Sequence, residues 1–155
     1  MGLREDKFIE LSQNRMTRIL TTMTTVANLS NSRYYEFYQS EISELFYSYE
    51  EAGKECKQVF TRNTDGAYLK THFKFSTPPA EPKTEKNIKF REVAERRMSK
   101  VFYDLKLIAN LSDRSHYAYN ESQIDELFQA FEEKGINTKI WFMPAINEFR
   151  YSNTK

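Results

Sequence analysis

Glutamates recur in this chain at places that invite a metal-binding or catalytic reading. Glu44 and Glu126, and the pairs Glu50-Glu51 and Glu132-Glu133, stand at matching positions of two segments 82 residues apart. Repeated glutamates projecting into a four-helix core are the ligands of di-iron carboxylate proteins, but that site also needs Glu-x-x-His on two of the helices. No such pair occurs, and the two histidines, His72 and His116, are not repeated. The carboxylates therefore read as a solvated acidic helix face. No nucleophile stands beside a histidine and an orienting carboxylate, the four glycines are scattered and form no phosphate loop, and no Cys/His cluster has zinc spacing. No catalytic residue, metal ligand or cofactor site is expected.

Binding chemistry is better supplied. Arg15 and Arg18 in the first segment are matched by Arg97 and Lys100 in the second. A spacing of three puts each pair on one face of a helix. With Tyr35 and Tyr117 nearby, such faces suit a phosphate backbone and stacked bases. The competing reading is internal: the basic first helices lie against acidic second ones. Glu36 to Glu55 carries six acids and one base, and Lys83 to Lys106 eight bases and four acids. A second candidate is the shared Asn-Leu-Ser turn, at Asn28 and Asn110. With Arg33 and Arg114 it would display one polar edge per segment. Structurally, the same Asn suits a left-handed residue that ends a helix.

These residues need elements to hold them, and the elements come in two copies. Residues 8–53 align on 90–135 without a gap, and 17 of the 46 positions are identical. Apolar and small residues at Phe8, Leu11, Ser12, Met16, Ile19, Met23 and Val26 step by three and four, the period of an amphipathic helix, and residues 90–108 repeat the pattern. Second helices follow, with Ile42, Leu45, Phe46 and Tyr49 on one face, matched by Ile124, Leu127, Phe128 and Phe131. Asn120 and Gln123 have capping-box spacing; Tyr38 is a poor cap, which moves the expected start of the earlier helix to Ser40. Lys134-Gly135 reads as a helix stop before a short strand over 138–142, whereas the chain after Gly53 can stay helical to about Arg62. Asn63 to Gly66 signals a turn, and residues 68–75 alternate like a strand that would pair with 138–142. The Pro-rich stretch from Ser76 reads as exposed linker. One more short helix beyond Pro144 would dock Ile146 and Phe149.

The fold expected is mainly α: a tandem-duplicated helical hairpin forming a four-helix bundle-like domain, with room for a small two-stranded element. Residues 1–155 would make a single domain built from two repeats, 5–62 and 87–143, joined by a linker at 63–86. Each copy is too small to be stable alone, so the two should share a core.

Formal net charge is +1, which gives no global pull toward nucleic acid or an anionic membrane. The single Cys56 fits a reducing compartment. No apolar run approaches the roughly 18 residues of a membrane span and no signal-peptide core is present, so a cytoplasmic protein is expected.

Met98 to Glu133, and more faintly Met16 to Glu51, resembles a short helical module of small uncharacterised bacterial and phage proteins. The residues that carry the resemblance are Ile108-Ala-Asn-Leu-Ser-Asp, Tyr117-Ala-Tyr and Ile124-Asp-Glu-Leu-Phe. It implies no reaction or ligand; a mobile-element origin would suit a small regulator or inhibitor. The function expected is a non-catalytic interaction protein with a protein partner. The alternative is a nucleic-acid-binding accessory protein using the basic helix face around Arg96; homodimerisation is open.

Overall fold

A computed structural model describes residues 2–62, 65–144 and 148–152. Four long helices pack as a bundle: α1 Leu3–Ala27, α2 Gln39–Thr61, α3 Glu85–Ala109 and α4 Glu121–Ile140. Three-residue 3-10 turns follow α1, α2 and α3, at Asn28–Ser30, Gly66–Tyr68 and Asn110–Ser112. The apolar stripes seen in the sequence are the buried faces, from Phe8 to Val26 on α1 and from Phe90 to Ile108 on α3. No helix among the described residues is long and apolar enough to cross a membrane.

Helix starts follow side-chain chemistry. Thr84 accepts from the Asn87 amide, and Asn120 and Gln123 bond each other's backbone N–H groups, satisfying donors that a helix leaves free. α2 starts at Gln39, one residue before the expected start, because the Glu41 carboxylate reaches back to the Tyr38 amide at 2.9 Å. Helix ends differ from expectation. Asn28 and Asn110 are right-handed, with φ of −65° and −62°. The chain tightens into a 3-10 turn instead, and fully buried Leu29 and Leu111 anchor it to the core. Burying each leucine contributes about 2 kcal/mol, enough to set the turn without a left-handed residue.

No strand forms among the described residues. The chain expected to be extended at 138–142 instead continues α4 to Ile140 and then turns, placing Phe142 in the core. Gly135 lies inside this helix, for a reason given below. Residues 69–77 are extended, but they bond to side chains and have no partner strand. This segment is a strap laid along the seam between α2 and α3. Ser99 Oγ accepts from the Phe73 amide, Glu95 from the Phe75 amide, and Glu44 from the amides of Ser76 and Thr77. Arg91 stacks over Phe75, pairs with buried Glu41 and donates to the Thr77 carbonyl. The region between the helical pairs is thus docked chain as far as Thr77, so Ser76 and Thr77, expected to open an exposed linker, are held by Glu44. At the other end, residues 148–150 form no helix and Phe149 is exposed, while Ile146 lies outside the described residues.

Three pairs of bonds between the two halves are reciprocal at the same offset of 82. Arg15 donates to the Leu107 carbonyl at 2.6 Å and Arg97 to the Thr25 carbonyl at 2.7 Å. The Glu36 amide donates to the Lys86 carbonyl, and the Ala118 amide to the Arg4 carbonyl, both at 3.3 Å. Lys86 Nζ reaches the Ser32 carbonyl, and Arg4 the Arg114 carbonyl. Phe60 packs on Phe8, Tyr119 and Phe128; Phe142 packs on Phe90, Phe37 and Phe46. Each half therefore supplies the neighbours that the other lacks, related by a pseudo-twofold axis.

Candidate functional site

The pseudo-twofold axis emerges where α2 and α4 cross, and the sequence explains how they come so close. Gly53 and Gly135 are equivalent positions in the two helices. A Cβ on Gly53 would overlap the ring of Phe131, and one on Gly135 the ring of Tyr49. Tyr49 and Phe131 are themselves equivalent and stack on each other, with centroids 4.0 Å apart and planes 5° apart. Each ring thus lies over the other helix's glycine. The Tyr49 hydroxyl donates to the Phe131 carbonyl at 2.6 Å, and burial pushes its pKa up. An interior glycine costs a helix about 1 kcal/mol, offset here by the aromatic contact. The sequence signal is an aromatic four residues before a glycine in both copies, but Gly135 reads equally well as a helix stop.

Above this stacked floor the two helices diverge into an open groove of about 1040 Å³. Phe46 and Phe128 extend its apolar lining, with Tyr47 and Ile136 on its walls. Tyr47 is 65 % exposed and Ile136 57 %. Ile140, one turn beyond Ile136, is also exposed, as is the adjacent Trp141. Ion pairs line the rim: Lys57 reaches Asp125 across the groove at 3.1 Å, and Lys54 holds Glu50 at 3.2 Å. Five carboxylates and three lysines line it, a balance of −2.

The basic residues suggested by the sequence lie on a different face. Arg15 and Arg97 use donors on carbonyls in the last turns of α3 and α1, where a helix leaves acceptors unsatisfied and its dipole favours a cation. Arg18 bonds the Oδ1 atom of buried Asp104 at 3.2 Å. These donors meet the other first helix of the bundle rather than the acidic second helix, although the Arg18 side chain stays 46 % exposed. Lys100 and Arg96 remain exposed.

The two connectors also repeat in detail. Asn31 accepts from the Arg33 amide and Asp113 from the Ser115 amide, closing equivalent turns. Bonds from the Ser115 hydroxyl and His116 outweigh desolvation and hold the Asp113 carboxyl at about 2. Arg33 lies over Tyr34 and Arg114 over Tyr119. Asn28 and Asn110 are exposed, and Tyr35 and Tyr117 are half-buried against the core. The structure brings Arg33 and Arg114 beside aromatic rings of their own connectors, but it joins neither to the basic pairs in one site.

Chemically inert groups complete the picture. Cys56 is fully buried, donates to the Leu105 carbonyl and has its pKa pushed up by burial. Among the described residues no group of three or more His, Cys, Asp or Glu side chains is placed to hold a metal ion. Comparison with known proteins gives no match to a family model, a curated protein or a solved structure.

Proposed function

We propose that the protein is a non-catalytic interaction module that receives a protein partner in the α2/α4 groove, with a small regulator or inhibitor as the biological role. The observation that carries this reading is the groove itself. It has an aromatic floor held rigid by the two glycine contacts, and large apolar side chains stand exposed along its walls. Monomeric proteins seldom leave such contiguous apolar surface without use. Its volume of about 1040 Å³ and the exposed Ile136, with Ile140 one turn beyond it, suit an amphipathic helix laid between α2 and α4. The excess of carboxylates at the rim favours a partner with basic residues flanking its apolar face.

Capture from nuclease-treated bacterial lysate tests the reading when wild type is compared with two kinds of surface variant. Ile136→Asp and Tyr47→Asp should lose the captured protein, whereas the charge reversals Arg96→Glu and Lys100→Glu should keep it. All four side chains are exposed or at the surface, so the fold is retained. Capture insensitive to both groove variants, but lost on charge reversal and on nuclease treatment, would favour nucleic-acid binding instead.

A further inference from the structure

The strap on the α2/α3 seam has a seat at the equivalent α1/α4 seam, and that second seat is uncovered. Glu44, Glu95 and Ser99 accept the strap's amides; their equivalents at the offset of 82 are Glu126, Gln13 and Thr17. All three retain an acceptor oxygen, all are exposed, and none makes a side-chain hydrogen bond among the described residues. The apolar part of the seat differs in the same sense. Phe102, against which the strap's Phe73 packs, is 4 % exposed, while its equivalent Leu20 is only half-buried.

The chain carries a second segment of the strap's chemistry. Phe73-Lys74-Phe75-Ser76 is echoed by Phe149-Arg150-Tyr151-Ser152: aromatic, basic, aromatic, serine. Phe73 and Phe75 meet edge to face with centroids 5.0 Å apart at 80°; Phe149 and Tyr151 meet at 4.8 Å and 80°. Phe73 is buried, but Phe149 and Tyr151 are 74 % and 75 % exposed, away from any seat. The strap follows α2 and returns along it toward Glu44; the tail follows α4, which leads back to Glu126. Ten residues from Met143, after the docked Phe142, to Ser152 reach up to about 33 Å when extended. The α4 axis from Glu126 to Ile140 spans about 21 Å, so the tail is long enough.

We propose that the C-terminal segment Phe149–Ser152 is a second strap that docks along the α1/α4 seam of its own chain. Phe149 packs on Leu20 and Tyr151 on Ile9, Arg150 faces solvent as Lys74 does, and the Ser152 amide and hydroxyl donate to Glu126. The exposed arrangement of these residues is then the open state of a strap whose twin is closed.

Nuclear Overhauser contacts in the isotopically labelled full chain test this directly. Docking predicts contacts from the Phe149 ring to the Leu20 and Ile9 methyls, and Ser152 amide exchange slowed about tenfold, as for a hydrogen bond to a carboxylate. Glu126→Lys, at an exposed position with no bonds to lose, should abolish the Ser152 protection while the spectrum of the helices stays folded. Absence of the Phe149 contacts, with Ser152 exchanging at the rate of free chain, overturns the proposal. Contacts that appear only between differently labelled chains overturn it too, since the seat would then take the tail of a second copy.

Discussion

The two seams that flank the α2/α4 groove are built from equivalent residues and differ in their cover. One carries a strap fixed by Glu44, Glu95, Ser99 and Arg91; the other keeps Glu126, Gln13 and Thr17 and has Ile9 where Arg91 stands. The arginine bonds to helix-end carbonyls are reciprocal, while the Arg18–Asp104 and Arg91–Glu41 pairs and the bonds from helix to strap occur on one side only among the described residues. The bundle is therefore symmetric at its matched helix ends and at the α2/α4 crossing, and asymmetric along the seam where loop chain is added.

The symmetric part is most severely tested at the crossing of α2 and α4. Gly53→Ala and Gly135→Ala each force a methyl group into a stacked ring, which overpacking data put at about 1–3 kcal/mol, toward the top of that range for rings with little room to move. Equal losses in denaturant-induced unfolding are expected; a large loss at one site and none at the other would break the equivalence. A smaller matched effect is expected at the reciprocal arginines. Arg15→Ala and Arg97→Ala should each cost about 1.5 kcal/mol, for one charge-assisted bond to a carbonyl that is only half-buried. Chemical denaturation of the two single variants would measure both.

The asymmetric part has a pH signature. Burial acts to raise the Glu44 pKa, but the hydroxyl and amide bonds from Ser76 and Thr77 outweigh it and lower the carboxyl from 4.5 to about 2. A folded pKa below the unfolded one contributes stability that is complete above the unfolded value and lost as pH falls through the folded one. The stability gap between wild type and Glu44→Gln should therefore be constant above about pH 5 and shrink from there down to pH 2. Ser76→Ala, which removes one of the hydroxyl bonds to Glu44 and keeps the carboxylate, should show a smaller gap over the same range. Thermal melts across this range would separate the two.

These contrasts explain what could be read from the chain. The helix stripes and the Asn120 cap were legible because period and capping are local properties. The strap was not: residues 68–75 alternate as a strand does, but only tertiary structure reveals that their amides face Glu44, Glu95 and Ser99. Gly135 was misread because a lost Cβ signals a helix stop and a close helix contact equally well. The basic pairs looked available because sequence cannot show that Arg15 and Arg97 meet helix-end carbonyls 92 and 72 residues away. The groove was invisible for the same reason, although Tyr49, Gly53, Phe131 and Gly135 were all in view.

The account rests on each half completing the other, and the most direct measurement is the unfolding of the first half alone, residues 2–78. It carries α1, α2 and the strap but lacks α3, on which Arg15, Cys56 and the strap all depend. The predicted result is a monomer without a cooperative transition, with folding only at concentrations where two copies pair. A monomeric half-chain that melts cooperatively would contradict it.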